Sequence, residues 1–170
     1  MDYALAEPAF LYMRLLNTAD DLGRLNAIEP AKIWWLRGEA IRQINEALQD
    51  PGRATSTGLI LAVGRVALHE SFYGDRELAN RMHRPAQKRM IEMRGGLKAL
   101  GLPGLSMRLM RWTDDIMSKY GGTERFLEDD PEQEGIGLKQ SADVLDGYRF
   151  DKGQELRKRI RIRDLMNDEG

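Results

Sequence analysis

Cysteine is absent from the 170 residues, which removes disulfides, thiolate metal sites and thiol nucleophiles and suits a reducing compartment. No stretch approaches the run of about eighteen apolar residues that spans a bilayer. The N-terminus also lacks the basic-then-apolar pattern of a secretory signal. The expectation is an intracellular protein, nuclear or cytoplasmic, with no membrane partner. An excess of charge of one sign is missing too: 26 Lys and Arg stand against 27 Asp and Glu. A chain wholly devoted to gripping phosphate backbones would show a strong basic excess. No sequence repeat of about 20–50 residues is evident.

What is present is helical periodicity interrupted by glycine. Leu78, Met82, Ala86, Met90, Met93 and Leu97 recur every three or four residues, which predicts one buried helix face. Gly95 and Gly96 follow Arg94 where a chain leaves a helix through positive φ, predicting a stop. Leu97 to Leu100 has room for one more turn before Gly101 and Pro103. Near Gly104 a second helix begins, with Leu105, Leu109, Trp112, Ile116 and Tyr120 as its stripe and Gly121 and Gly122 as its end. Two amphipathic helices joined so briefly predict an antiparallel hairpin. Trp112 is expected to be its largest packing contribution, roughly 3 kcal/mol relative to alanine.

Upstream, Pro8 to Leu16 reads as a short buried helix, followed by a polar connection over Asn17 to Asn26. Pro30 opens a longer helix with Ile33, Trp34, Arg37, Ile41, Ile44 and Leu48 near one face, closed by Asp50, Pro51 and Gly52. Thr55, Ser56 and Thr57 offer N-caps for a third helix through Leu59, Ile60, Val63, Val66, Ala67 and Phe72, ended by Gly74. Asp75 can cap the fourth. The predicted fold is all-α: antiparallel helical hairpins packed as a bundle or array, with five or six main helices. Residues 1–122 form the bundle. Residues 123–140, rich in Glu and Asp, are expected to form an exposed acidic linker, and 141–170 a tail with a charged helix able to dock on the bundle.

Reactive constellations are sparse. His69-Glu70 lacks the second histidine of a zinc-protease helix, because Tyr73 stands there. Asp114 and Asp115 lie about 100° apart around a helix and cannot converge on one reacting atom; a solvated charge or an Arg partner is the plainer account. Gly58 to Gly64 and Gly101 to Gly104 lack the lysine and hydroxyl residue of a phosphate loop. The expectation is no catalysis, no metal and no cofactor. Trp34, Trp35, His69 and Tyr73 are the candidates for a ligand pocket or interface, with a small-molecule effector as one occupant. Arg81, Arg84, Lys88, Arg89 and Arg94 give one helix a basic side, read as solvated or paired with the acidic linker. Arg157, Lys158, Arg159, Arg161 and Arg163 form a basic run suited to phosphate contact or nuclear import.

Three segments, EAIRQINEALQDPGRATSTGLILAVGRVALHE, GDRELANRMHRPAQKRMIEMRGGLKALGLPGL and RLMRWTDDIMSKYGGTERF, together resemble the helical regulatory region of fungal transcription factors. In that family the region often follows a zinc binuclear cluster. The resemblance runs from about Trp34 to Phe126 and rests on Asn45, His83, Arg94 with Gly95 and Gly96, and the Trp112-Thr113-Asp114 turn. It implies a non-catalytic regulatory module acting through a protein partner or self-association. Pro85 departs from the family, which usually has a small residue there, and predicts a kink near Arg81 to Pro85. The cysteine-rich DNA-reading module has no counterpart here, so no sequence-specific DNA binding is expected of this chain alone. A stand-alone helical scaffold binding a protein or small ligand outside transcription is the alternative.

Overall fold

The structure, a computed structural model, describes residues 6–127. Within them every regular element is helical, in five main helices: α1 (Pro8–Arg24), α2 (Pro30–Gln49), α3 (Thr57–Tyr73), α4 (Arg84–Met93) and α5 (Gly104–Gly121). A short turn, Arg76–Leu78, and a π-helical turn, Ala79–His83, lead into α4, and a 3-10 turn, Leu97–Leu100, follows it. The starts obey the capping chemistry. Ser56 Oγ accepts from the Leu59 amide at 3.1 Å and Asp75 Oδ1 from Leu78 at 3.0 Å, satisfying amides that have no partner inside the helix. Gly95, Gly96, Gly101 and Gly122 all adopt positive φ, so the glycine stops lie where the spacing placed them.

The hub is α3, not the segment from 83 to 122 that dominates the sequence pattern. It touches all four other helices because it is apolar almost all round, the signature of a helix at the centre. Leu59, Ile60, Ala62 and Ala67 are fully buried in it. Burying Leu59 or Ile60 contributes roughly 2–3 kcal/mol. Phe10, Met13 and Leu16 of α1, Ala40 and Ala47 of α2, Met90 and Ile91 of α4, and Met110 of α5 close around it.

Several expectations are corrected. First, α1 does not end at Leu16: it runs on to Arg24, because Ala19 is buried and the supposedly connecting Asp20 and Asp21 bond to α3. In α2 the small residues Ala40 and Ala47 face the core, with Ile33, Leu36 and Ile44 beside them. Trp34, Ile41 and Leu48 point outward instead; small side chains let the backbones of α1 and α2 approach, so the bulky ones rotate out.

The stripe from Leu78 to Leu97 is broken by the π turn. Such a turn admits one extra residue and rotates what precedes it by about 100°, so Ala79 is buried while Leu78 and Met82 are exposed. This turn stands where a proline kink was expected, and Pro85 sits harmlessly at the start of α4. Met93 is exposed as well, at the glycine exit. In α5 the buried face is Met110, Asp114, Ile116, Met117 and Ser118; Leu105, Leu109 and Tyr120 are exposed and Trp112 only half-buried. Trp112 is therefore not the central packing residue. Nor do α4 and α5 form a backbone-close hairpin: both lean on α3 and meet through side chains.

The bundle also extends past residue 122. Leu127 is buried and Phe126 lies against Arg84, so these two residues of the expected linker pack on the bundle. The remainder of that linker and the 141–170 tail, with Arg157, Lys158, Arg159, Arg161 and Arg163, lie outside the described residues. No helix among the described residues is long and apolar enough to cross a membrane.

Candidate functional site

The end of α3, His69-Glu70-Ser71-Phe72-Tyr73, carries most of the polar groups that the helices share. His69 and Tyr73 are one helical turn apart and lie on the same side, with ring centroids separated by 5.3 Å. The side they face is the second half of α1. His69 Nε2 lies 2.6 Å from Asp20 Oδ2, and the Tyr73 hydroxyl donates to Asp21 Oδ1 at 2.9 Å. On its other edge His69 Nδ1 is 3.7 Å from Glu70 Oε1, an ion-pair distance.

Glu70 ties in α2 and the next turn. Its Oε1 accepts from Arg37 Nη2 at 2.8 Å and its Oε2 from the Asp75 amide at 2.8 Å. Arg37 in turn lies 5.9 Å from the Trp34 ring, and Arg24 lies 4.6 Å from the Tyr73 ring. Trp34, His69 and Tyr73 thus belong to one network reaching from the surface to the interior. Trp35 is not part of it; its ring meets Tyr12 of α1 edge-on at 6.2 Å.

Electrostatics follow from this geometry. Burial pushes the His69 pKa down, but bonds to Asp20 and Glu70 outweigh burial and raise it. Burial likewise works to raise the Glu70 pKa, yet His69, the Asp75 amide and Arg37 together hold it at about 2. The Tyr73 hydroxyl is pushed up to about 12 by burial and by its bond to Asp21. Together these shifts describe a buried histidine whose charged form is favoured by the carboxylates beside it. With His69 only 4% exposed and both its ring nitrogens facing acids, neither nitrogen is aimed at open space as a general base must be. The cluster clamps α1, α2 and α3 together. Among the described residues no three His, Asp or Glu side chains are grouped to hold a metal.

A second polar centre joins the start of α4 to α5. Arg84, assigned by its sequence to a basic surface, is the largest of the fully buried side chains among the described residues, at 1% exposure. Its Nη2 donates to Asp114 Oδ1 at 2.8 Å and to the Glu124 carbonyl at 2.9 Å; its Nη1 donates to Asn80 Oδ1 at 3.0 Å and to the Thr123 hydroxyl. Asp114 Oδ2 accepts the amides of Phe126 and Leu127 at 2.7 and 2.8 Å. The Phe126 ring covers the guanidinium at 4.6 Å. Asp114 therefore has an Arg partner, and that partner is not solvated. Arg81 pairs with Glu77 and Lys88 with Glu92 on the surface. His83 is half-buried and lies at the end of the π turn, its pKa lowered by that burial. Arg94, Gly95 and Gly96 form the α4 exit.

Sequence reasoning passed over two further residues, Arg14 of α1 and Arg65 of α3, which line a cavity of about 290 Å3 between α1, α3, α4 and α5. Helical phase alone carried a signal: Arg65 falls on an otherwise apolar helix, four residues before His69.

Comparison with protein-family models, with curated proteins and with solved structures finds no match for the chain.

Proposed function

We propose that this chain is a non-catalytic helical interaction module that self-associates through the outer face of α2. The observation that carries the reading is a stripe of Trp34, Ile41 and Leu48, seven residues apart and 57%, 50% and 46% exposed. A seven-residue apolar repeat is the seam by which one helix meets another. Gly38, between Trp34 and Ile41, has open space beyond its Cα, so a second backbone can come close there. Trp35, 61% exposed, widens the patch, and tryptophan is the residue type most enriched where binding energy concentrates.

The face is complementary to itself. An antiparallel pairing about a two-fold axis at Ile41 sets Trp34 of one copy against Leu48 of the other. Such an isologous contact closes as a dimer. A regulatory role in transcription, exercised in the nucleus, is part of the same proposal and is supported by the resemblance over residues 34–126 to the fungal regulatory region.

Light scattering across a concentration series tests the self-association. The native protein is expected to pass from the mass of one chain to that of two, and Trp34→Glu with Ile41→Glu to remain monomeric with unchanged helicity. A native protein that stays monomeric throughout, or a dimer indifferent to the paired substitution, overturns it. Robust turnover of a substrate, abolished by one polar substitution, would overturn the non-catalytic reading.

A further inference from the structure

Away from the α2 stripe, the cavity at the junction of α1, α3, α4 and α5 has an unusual combination of walls. Leu61, Leu68, Leu102 and Met110 make most of it apolar, while Arg14 and Arg65 both line the same space. At about 290 Å3 it lies near the lower end of the range of roughly 300–1,000 Å3 occupied by small-molecule sites. Leu109 stands at its edge with 40% of its surface exposed, an apolar rim that an occupant would cover.

The two arginines set the chemistry. Three other arginines of the bundle have a carboxylate: Arg84 has Asp114, Arg37 has Glu70 and Arg53 has Glu7. Among the described residues no carboxylate pairs with Arg14 or Arg65. Burial and then the like charge of Arg14 depress the Arg65 pKa, so the charged pair is held together at a cost that an anion between them would offset. Gln87 completes the polar side; its Nε2 donates to the Ile60 carbonyl at 3.3 Å across Gly64, where a Cβ would collide with it at 2.0 Å. Glycine at 64 thus keeps the amide folded against α3 and the cavity open.

We propose that this cavity binds a small organic acid, one carboxylate on a compact apolar body, with the carboxylate between Arg14 and Arg65 and the body against Leu61, Leu109 and Met110. Guanidinium groups recognise carboxylates through paired, charge-assisted hydrogen bonds, and the apolar walls select against fully hydrated anions such as inorganic phosphate. The ligand would touch α1, α3, α4 and α5 at once, which makes it a natural effector of how the bundle is packed.

Octanoate, with octan-1-ol as its neutral counterpart and inorganic phosphate as an anion without an apolar body, tests this by calorimetry and thermal melting of the whole chain. Octanoate is expected to bind and to raise Tm, the other two far less. Arg65→Met keeps an apolar stem and removes one guanidinium; it should weaken octanoate at least about tenfold without lowering Tm in the absence of ligand. Arg14→Met, at an exposed position, should weaken it in the same direction and serves as the second variant. Equal effects of octanol and octanoate, equal protection by phosphate, or unchanged octanoate binding in both variants would each overturn the proposal. So would a lower ligand-free Tm in Arg65→Met, since that means an acid of the chain already serves the site.

Discussion

Arg84 Nη2 and Asp114 Oδ1 meet at 2.8 Å with their side chains 1% and 6% exposed, and this buried pair joins α4 to α5 where the two backbones stay apart. Removing one member leaves the other charged and dry, which costs about 3–5 kcal/mol. Arg84→Met should therefore lower stability by that order in urea denaturation. Asp114→Ala should cost at least as much, because the Phe126 and Leu127 amides lose their acceptor as well. Since both substitutions break one contact, their effects should fall well short of additive in the double variant. Simple additivity would show that the pair carries no coupling.

The two halves of this latch were legible to different degrees. Asp114 was readable only as a solvated charge or an arginine's partner, and which cation would meet it was not readable, since Arg81, Arg84, Lys88, Arg89 and Arg94 look alike along the chain. The π turn decides it: by admitting one extra residue, it turns Arg84 inward and leaves Arg81 on the surface. Nothing in the Ala79–His83 sequence announces that turn except Pro85 just beyond it. Helix starts and stops, by contrast, depend on local chemistry, so Ser56, Asp75, Gly95 and Gly96 were legible from neighbours alone. The inward faces of α2 and α5 were misread for a tertiary reason. Alanine and a satisfied aspartate occupy the close contacts, and counting large apolar residues points away from both.

Stability should depend on pH through the clamp at the end of α3. His69 has a folded pKa above its ordinary 6.5, so it binds its proton more tightly in the folded chain. Its contribution is full below 6.5 and is lost as pH rises through the folded value. Glu70, held at about 2 from an ordinary 4.5, contributes in the opposite sense, fully above 4.5 and progressively less as pH falls towards 2. The stabilising effects of the two overlap between about pH 4.5 and 6.5. Melting temperatures of the native protein and His69→Gln, compared from pH 4 to 9, check the point: the gap between them should narrow on the alkaline side. A gap that widens there would contradict the raised pKa.

Two glycines should respond to alanine with opposite signs. Gly96 has φ +94 and open space around its Cα, so Gly96→Ala meets no clash and its cost is backbone strain alone, roughly 1–3 kcal/mol. Gly38 lies in the middle of α2, also in open space, where alanine is favoured over glycine by roughly 0.5–1 kcal/mol. Urea midpoints measured at low protein concentration should fall for Gly96→Ala and rise for Gly38→Ala. Two shifts of the same sign would contradict the assignment of these backbone conformations.

Leu59 and Trp112 separate the hub from the stripe that the sequence emphasised. Leu59 is fully buried in α3, encircled by helices that cannot all relax into the space it leaves, so Leu59→Ala should cost about 3–5 kcal/mol. Trp112 is the larger side chain but is only half-buried on α5. Water replaces part of what its removal exposes, and no closed cavity forms. Trp112→Ala should therefore cost less than Leu59→Ala despite deleting more atoms, a ranking that calorimetric unfolding of the two variants would decide. The reverse ranking would place the core on α5 and displace α3 from the centre of the bundle.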